Sequence, residues 1–172
     1  MATTNAATNY LERSLLNFLF KNNPNSFATP GNSIYVGLAT AVTQSTGSYS
    51  DTTGETNEVT ITEITGSQDS AYGRQQVTAA NWTVEEYDAG TDDKAHRAKN
   101  SSNIEFPAHG SGGSTYTVTH VFITTASSAS LDASFNSGNG NVLFVGKLDV
   151  DKSIAVGDIF RINANNLTVE LR

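Results

Sequence analysis

TYTVTHVFITTA, residues 115–126, is the most strand-like stretch of the chain, and its reading decides the rest. β-Branched and aromatic residues fill most of its positions, which suits a pleated, half-buried surface better than a helix. Strict alternation places Val118, His120 and Phe122 on one face and Val121 and Ile123 on the other. Working outward, SIYVGLATA (33–41) sets Ile34, Val36 and Leu38 on one face, and EVTITEI (58–64) does the same with Val59 and Ile61. YGRQQVTAANWTVEEY (72–87) holds Tyr72, Val77, Trp82 and Val84 in broken strand patterns. NIEFP (103–107) offers Ile104 and Phe106, with Pro107 ending the run or marking an edge. NVLFVGKLDV (141–150) follows Asn139-Gly140, a dipeptide that predicts a hairpin. SIAVGDIFRIN (153–163) turns at Gly157-Asp158, and after the turn-like NANN the segment LTVELR alternates to the last residue. These last two segments are predicted to pair as a terminal hairpin. About eight short strands between turn clusters predict a mainly β chain, an antiparallel β-sandwich or jelly-roll-like barrel.

One segment reads as helix. In NYLERSLLNFLFKNNP (9–24), Leu11, Leu15, Phe18 and Leu19 form one stripe that Leu16 and Phe20 widen. Asn9 and Glu12 resemble a capping box, Lys21 sits in the last turn, and NNP supplies the stop. The prediction is an amphipathic N-terminal helix over about residues 9–22, lying against a β body over about 33–172, in a single domain of 172 residues. Three stretches read as surface insertions: Thr43 to Asn57, Asp88 to Ser102, and Ser127 to Gly140. GSGGS at Gly110 to Ser114 reads as a mobile loop.

Ten basic against seventeen acidic side chains give a net charge of -7, which opposes attraction to nucleic acid or an anionic membrane surface. With no cysteine, disulfides and thiolate chemistry are excluded. No apolar run approaches the roughly 20 residues of a membrane span. The N-terminal stretch lacks a basic n-region and a cleavage site, so it reads as structure and not as a signal peptide. The Asn-x-Ser/Thr matches at Asn81, Asn100 and Asn166 then have no secretory route behind them.

Catalytic and metal chemistry find little support. His120 lies mid-strand, where a structural role is expected, and His96 and His109 lie in predicted loops without metal-ligand spacing. Asp88, Asp92 and Asp93 could offer carboxylates to calcium, but without EF-hand spacing they read as a solvated acidic loop. KAHRAK, Lys94 to Lys99, reads as a mixed-charge surface loop that neutralises those acids. Gly31, Gly37, Gly73 and Gly157 form no phosphate-cradling loop. Trp82 and Tyr87 could stack on a sugar, although a single Trp is more often a packing residue. Glu85 and Glu86 are adjacent on one predicted strand, so they point to opposite faces and cannot act as a glycosidase pair. No catalytic, cofactor-binding or metal site is assigned.

The order of segments resembles a family of small tailed-bacteriophage virion proteins described as tail-fibre-like. The segments are NYLERSLLNFLF, IYVGLATA, YGRQQVT, NIEFP, TVTHVFI, GNVLFVGKL and GDIFRINANNLTVEL. Its most specific pieces are YVGL-x-TA at residues 35–41, Tyr-x-Arg-Gln at Tyr72 to Gln75, and GD-x-F-R at Gly157 to Arg161. The resemblance implies a non-enzymatic virion structural protein, attached to the tail as fibre, adaptor or baseplate component. It implies assembly in the host cytoplasm, other virion proteins as partners, and a homo-oligomer, with a trimer favoured by analogy. A capsid decoration protein and a carbohydrate-binding module directed at a host glycan are the alternatives.

Overall fold

A computed structural model describes residues 6–7, 20, 34–44, 59–88, 94–132 and 140–171. They form twelve strands: β1 (Ala6–Ala7), β2 (Tyr35–Gln44), β3 (Val59–Glu63), β4 (Gln75–Gln76), β5 (Trp82–Asp88), β6 (Lys94–Asn100), β7 (Ile104–Glu105), β8 (Tyr116–Thr124), β9 (Leu131–Asp132), β10 (Gly140–Ile154), β11 (Arg161–Ile162) and β12 (Thr168–Leu171). The described chain is mainly β, as expected, and its pairings are antiparallel apart from β9 with β10. The predicted helix over about 9–22 lies outside the described residues apart from Phe20, which is exposed.

Seven strands make one sheet in the order β1-β10-β8-β2-β3, with β4 added to β2 and β9 to β10. Two smaller sheets, β11-β7 and β12-β6-β5, complete the architecture. The main core gathers Val36 and Leu38 of β2 with Val118, Val121 and Ile123 of β8, and sets them against Ile104, Phe106, Phe160 and Ile162 around the β11-β7 sheet. Trp82 and Val169 bring the three-stranded sheet onto the same cluster. A second cluster, built on Ala39, Phe122, Val142 and Val145, forms around the remaining inward positions of β2, β8 and β10. The central strands are therefore buried on both faces.

β2 and β8 show how sequence sets this packing. Gly37 lies directly opposite Phe122 in the ladder. A Cβ on Gly37 would sit 2.2 Å from Cζ of the Phe122 ring, so only glycine leaves room for the aromatic side chain. The expected alternation along β8 holds for Phe122 against Val121 and Ile123, but it fails at Val118. Val118 shares the main core with Val121 and Ile123, three and five residues on. An irregularity between them shifts the phase: β10 meets β8 at Lys147–His120 and next at Lys152–Val118, a longer stretch of β10 against one intervening residue of β8. β2 is irregular at the same level, between Ala39 and Ala41. The Thr119 hydroxyl reaches the Thr40 carbonyl across this break at 2.9 Å. Bulges of this kind invert the facing of every later residue in a strand.

Three other expectations are corrected. Asn139-Gly140 does not open an antiparallel hairpin with the preceding strand, because Gly140 and Asn141 pair in parallel with Leu131 and Asp132; Asn139 itself lies outside the described residues. The last two segments do not pair with each other. β11 pairs with β7 and β12 with β6, the chain turning between them at Asn165, which has φ 67°. Finally, much of the presumed insertion at Asp88 to Ser102 is regular structure. KAHRAK is β6, the central strand of its sheet, with β5 on one side and β12 on the other.

Candidate interaction surface

Polar side chains hold the body together at three places, and the segments they join are those that the sequence singles out. At the first, Arg74 donates from Nε and Nη2 to the two carboxylate oxygens of Glu63, at 2.8 and 2.7 Å. Its remaining donors reach the carbonyls of Ala126 and Ala129, and the guanidinium lies 5.6 Å from the centre of the Phe122 ring. Only 4% of the Arg74 side chain is exposed. The Tyr72 hydroxyl donates to Glu63 at 2.8 Å and accepts the Leu38 amide at 2.9 Å. Burial and the neighbouring Glu63 carboxylate raise the pKa of that phenol far above its ordinary value. The Tyr72 ring stacks on Phe106, which meets Phe160 edge-on. Tyr-x-Arg-Gln, NIEFP and GD-x-F-R are thus one aromatic row.

The second place is a buried carboxylate. Asp69 accepts the amides of Ala71 and Gly110 on Oδ1 and the Tyr116 hydroxyl on Oδ2. Burial works against its charge, but the Gly110 and Ala71 amides and then Tyr116 outweigh it and hold the carboxyl below its ordinary value. Burial and Asp69 push the Tyr116 phenol up. Beside it, buried His109 places Nε2 2.9 Å from the Gln68 carbonyl and its ring edge-on to Tyr116. The GSGGS run closes over this group. A Cβ on Gly113 would lie 1.8 Å from the Gln68 carbonyl oxygen, so the glycine serves close approach, which the mobile-loop reading did not foresee.

Asn100 makes the third. Fully buried, it donates to the carbonyls of Ser102 and Asn163 and accepts the Leu167 amide. Its place in the interior also closes the glycan-acceptor reading of that asparagine.

Residues flagged for chemistry do not converge. His120 is buried in β8 with Nδ1 2.7 Å from the Thr119 hydroxyl; burial, then Lys147, lower its pKa. His96 lies in β6 and not in a loop, and is exposed. Trp82 is half-buried and packs against the core, in keeping with a packing role. Asp92 and Asp93 lie outside the described residues, as do the side chains of Tyr87, Asp88 and Lys94. Among the described residues no group of three or more potential ligands could hold a metal ion. Glu85 is engaged across the ladder, at 2.6 Å from Arg97 and 2.7 Å from Lys99, and Lys99 and then Arg97 hold its carboxyl below the usual range.

What stays open is a surface. Leu148, Val150, Ile159, Phe160 and neighbouring residues line a cleft of about 780 Å³ between the end of β10 and the segment leading into β11. Val150 is 64% and Ile159 49% exposed, large values for apolar side chains gathered at one place. Asp149, Lys152, Asp158 and Arg161 border it, and Arg161 is already bound to Glu105 at 2.6 Å. A cleft of this kind suits the contact of one polypeptide with another.

A family model described as Podophage GP4 fiber I protein gp80 matches residues 6–170. The chain belongs to that family. It is a family of podophage tail fibre structural proteins, in keeping with the tail-fibre-like resemblance read from the segment order. No curated protein matches the chain. Within the family's matched span, Gly37, Tyr72, Arg74, Phe122 and Phe160 all act inside the body. Segment order made them conspicuous, whereas nothing in the sequence marked Asp69, and Asn100 stood out only as a glycan-acceptor match; their partners lie up to 67 residues away.

Proposed function

We propose that the protein is a non-enzymatic part of a podophage tail, a fibre, adaptor or baseplate component that works by binding other virion proteins. One observation carries this reading. Tyr72 and Arg74 of the Tyr-x-Arg-Gln motif turn their polar groups inward, onto Glu63 and backbone carbonyls, so these family-marking residues support the body. The surface presents an apolar-lipped cleft, a feature that serves contact between chains. On this reading the chain is one structural unit, two packed β layers of sandwich or jelly-roll type. It is present in several copies on a symmetric particle and assembled in the host cytoplasm.

Immunogold electron microscopy of purified virions, with antibody raised against this chain, tests the placement. Gold at the tail is the expected result. Gold over the icosahedral head would replace the tail reading with capsid decoration.

A further inference from the structure

His120 stands where the central sheet changes step. It pairs with Lys147 of β10 on one side and with Ala39 of β2 on the other, and the next pair between β8 and β10 is Val118 with Lys152. Between those two pairs β10 spends residues 148–151 where β8 spends Thr119 alone. An excursion of this kind re-aims side chains. Here it supplies Leu148, Asp149 and Val150 to one lip of the cleft.

Hydrogen bonding fixes the form of the ring. The Thr119 hydroxyl has one proton, and the Thr40 carbonyl, 2.9 Å away, can only accept it. The hydroxyl oxygen therefore accepts from His120 Nδ1–H at 2.7 Å, and Nε2 carries the lone pair. His120 is only 8% exposed, so a proton added at Nε2 puts charge where water solvates it poorly. Two charged groups of β10 act on the ring: Lys147 opposes a second positive charge, and Asp151, inside the excursion, favours it. From β2 the facing residue is Ala39, and Glu63 on the far side of Ala39 is held by Arg74. Burial first and Lys147 second hold the imidazole below its ordinary value, with Asp151 offsetting part of their effect. Neutral imidazole is thus the form that the fold favours. Its contribution is fully present above the unfolded value of about 6.5 and is lost as pH drops below that and falls through the folded value.

We infer that His120 is a proton-operated switch for the β10 lip of the cleft. A proton from solvent on Nε2 makes an imidazolium that Lys147 repels and Asp151 attracts, and residues 148–151 are repositioned as the ring exchanges one neighbour for the other. The cleft then has one shape at neutral pH and another in mildly acid solution. This is regulation of the binding surface proposed above and rests on that reading for its purpose. The two fail separately, because the switch is measured on the purified chain and the placement on virions.

Two readouts on the purified full chain test it. Proton NMR of the imidazole ring gives the midpoint of His120, and a polarity-sensitive dye on Val150→Cys reports the lip, the chain having no cysteine of its own. Dye emission is expected to change with one midpoint, below about pH 6.5 and coincident with the ring titration, while circular dichroism keeps its β signal. Lys147→Gln removes the repulsion and should raise both midpoints by about 0.5 pH unit. Asp151→Asn removes the attraction, and should lower the ring midpoint by about as much and shrink the dye response about twofold or more. Both positions are exposed, so neither variant disturbs the core. His120→Gln, whose amide can still donate to Thr119, should abolish the dye transition, and replacement of exposed His96 by Gln should leave it in place. Emission that stays flat from about pH 8 to about pH 5 would overturn the inference. So would a transition that survives His120→Gln, or a ring midpoint indifferent to both β10 variants.

Discussion

Glu63 and Glu85 each meet an arginine at under 3 Å, but the two ion pairs belong to different parts of the molecule. Glu63 faces Arg74 where only 4% of the guanidinium side chain is exposed, with Tyr72 and two backbone carbonyls completing the set. Glu85 faces Arg97 and Lys99 on the outer face of a three-stranded sheet, with both basic side chains at 20–32% exposure. Distance alone does not separate them. What differs is the alternative open to each group if its partner is removed. Water replaces Arg97 readily, whereas Glu63 and the Ala126 carbonyl would be left in a medium that solvates them less well. The interior pair holds three segments in place, and the ladder pair tunes the surface of one.

The largest effect should come from breaking the interior set. Arg74→Ala is expected to lower unfolding free energy by about 3–5 kcal/mol, the usual cost of stranding a buried charge, as read from urea denaturation. Arg74→Lys should recover only part of this, because an ammonium cannot supply the two-pronged contact. Next in size, Gly113→Ala drives a methyl group against the Gln68 carbonyl and should cost about 1–3 kcal/mol, while Gly112→Ala, which meets nothing within 4 Å, should leave the midpoint unchanged. Equal effects at the two glycines would return GSGGS to the status of a mobile loop.

A pH series probes the other buried carboxylate. The folded pKa of Asp69 is lowered, so its contribution is fully present above the unfolded value of about 3.9 and is lost as pH falls through the folded value. Wild-type stability should therefore decline below about pH 4, and Asp69→Asn should be less stable at neutral pH but flatter across that acid range. The smallest effect belongs to the ladder. Glu85→Gln should barely move the denaturation midpoint and should lose what effect it has in high salt. A Glu85 variant as damaging as Arg74→Ala would erase the distinction between the two regions.

The sequence disclosed these regions unequally. Period-two runs of β-branched residues made β2, β8 and β10 legible, and burial of Val36, Leu38, Phe122 and Val142 follows from them. The facing of Val118 was not legible, because an irregularity in the pairing of one strand with its neighbour leaves no mark on either strand alone. β6 was hidden by its charge. Lys, His and Arg are interspersed there with two alanines and resemble a loop until Glu85 and the β12 ladder are set beside them. Buried polar groups were the least legible. Arg74, Asp69 and Asn100 look like surface residues when read along the chain, and only their distant partners make them interior ones.

Asn100 also has a bearing on timing. Its side chain is placed early in the chain, but two of the groups that satisfy it, the Asn163 carbonyl and the Leu167 amide, are made more than sixty residues later. At translation rates of about 5–20 residues per second, β5 and β6 exist for roughly 3–13 s before β12 can join them. A chain that stops short of Asn163 therefore lacks both β12 and these two partners of the Asn100 side chain. Pairing of β12 with β6 is thus the last of these steps in order of synthesis.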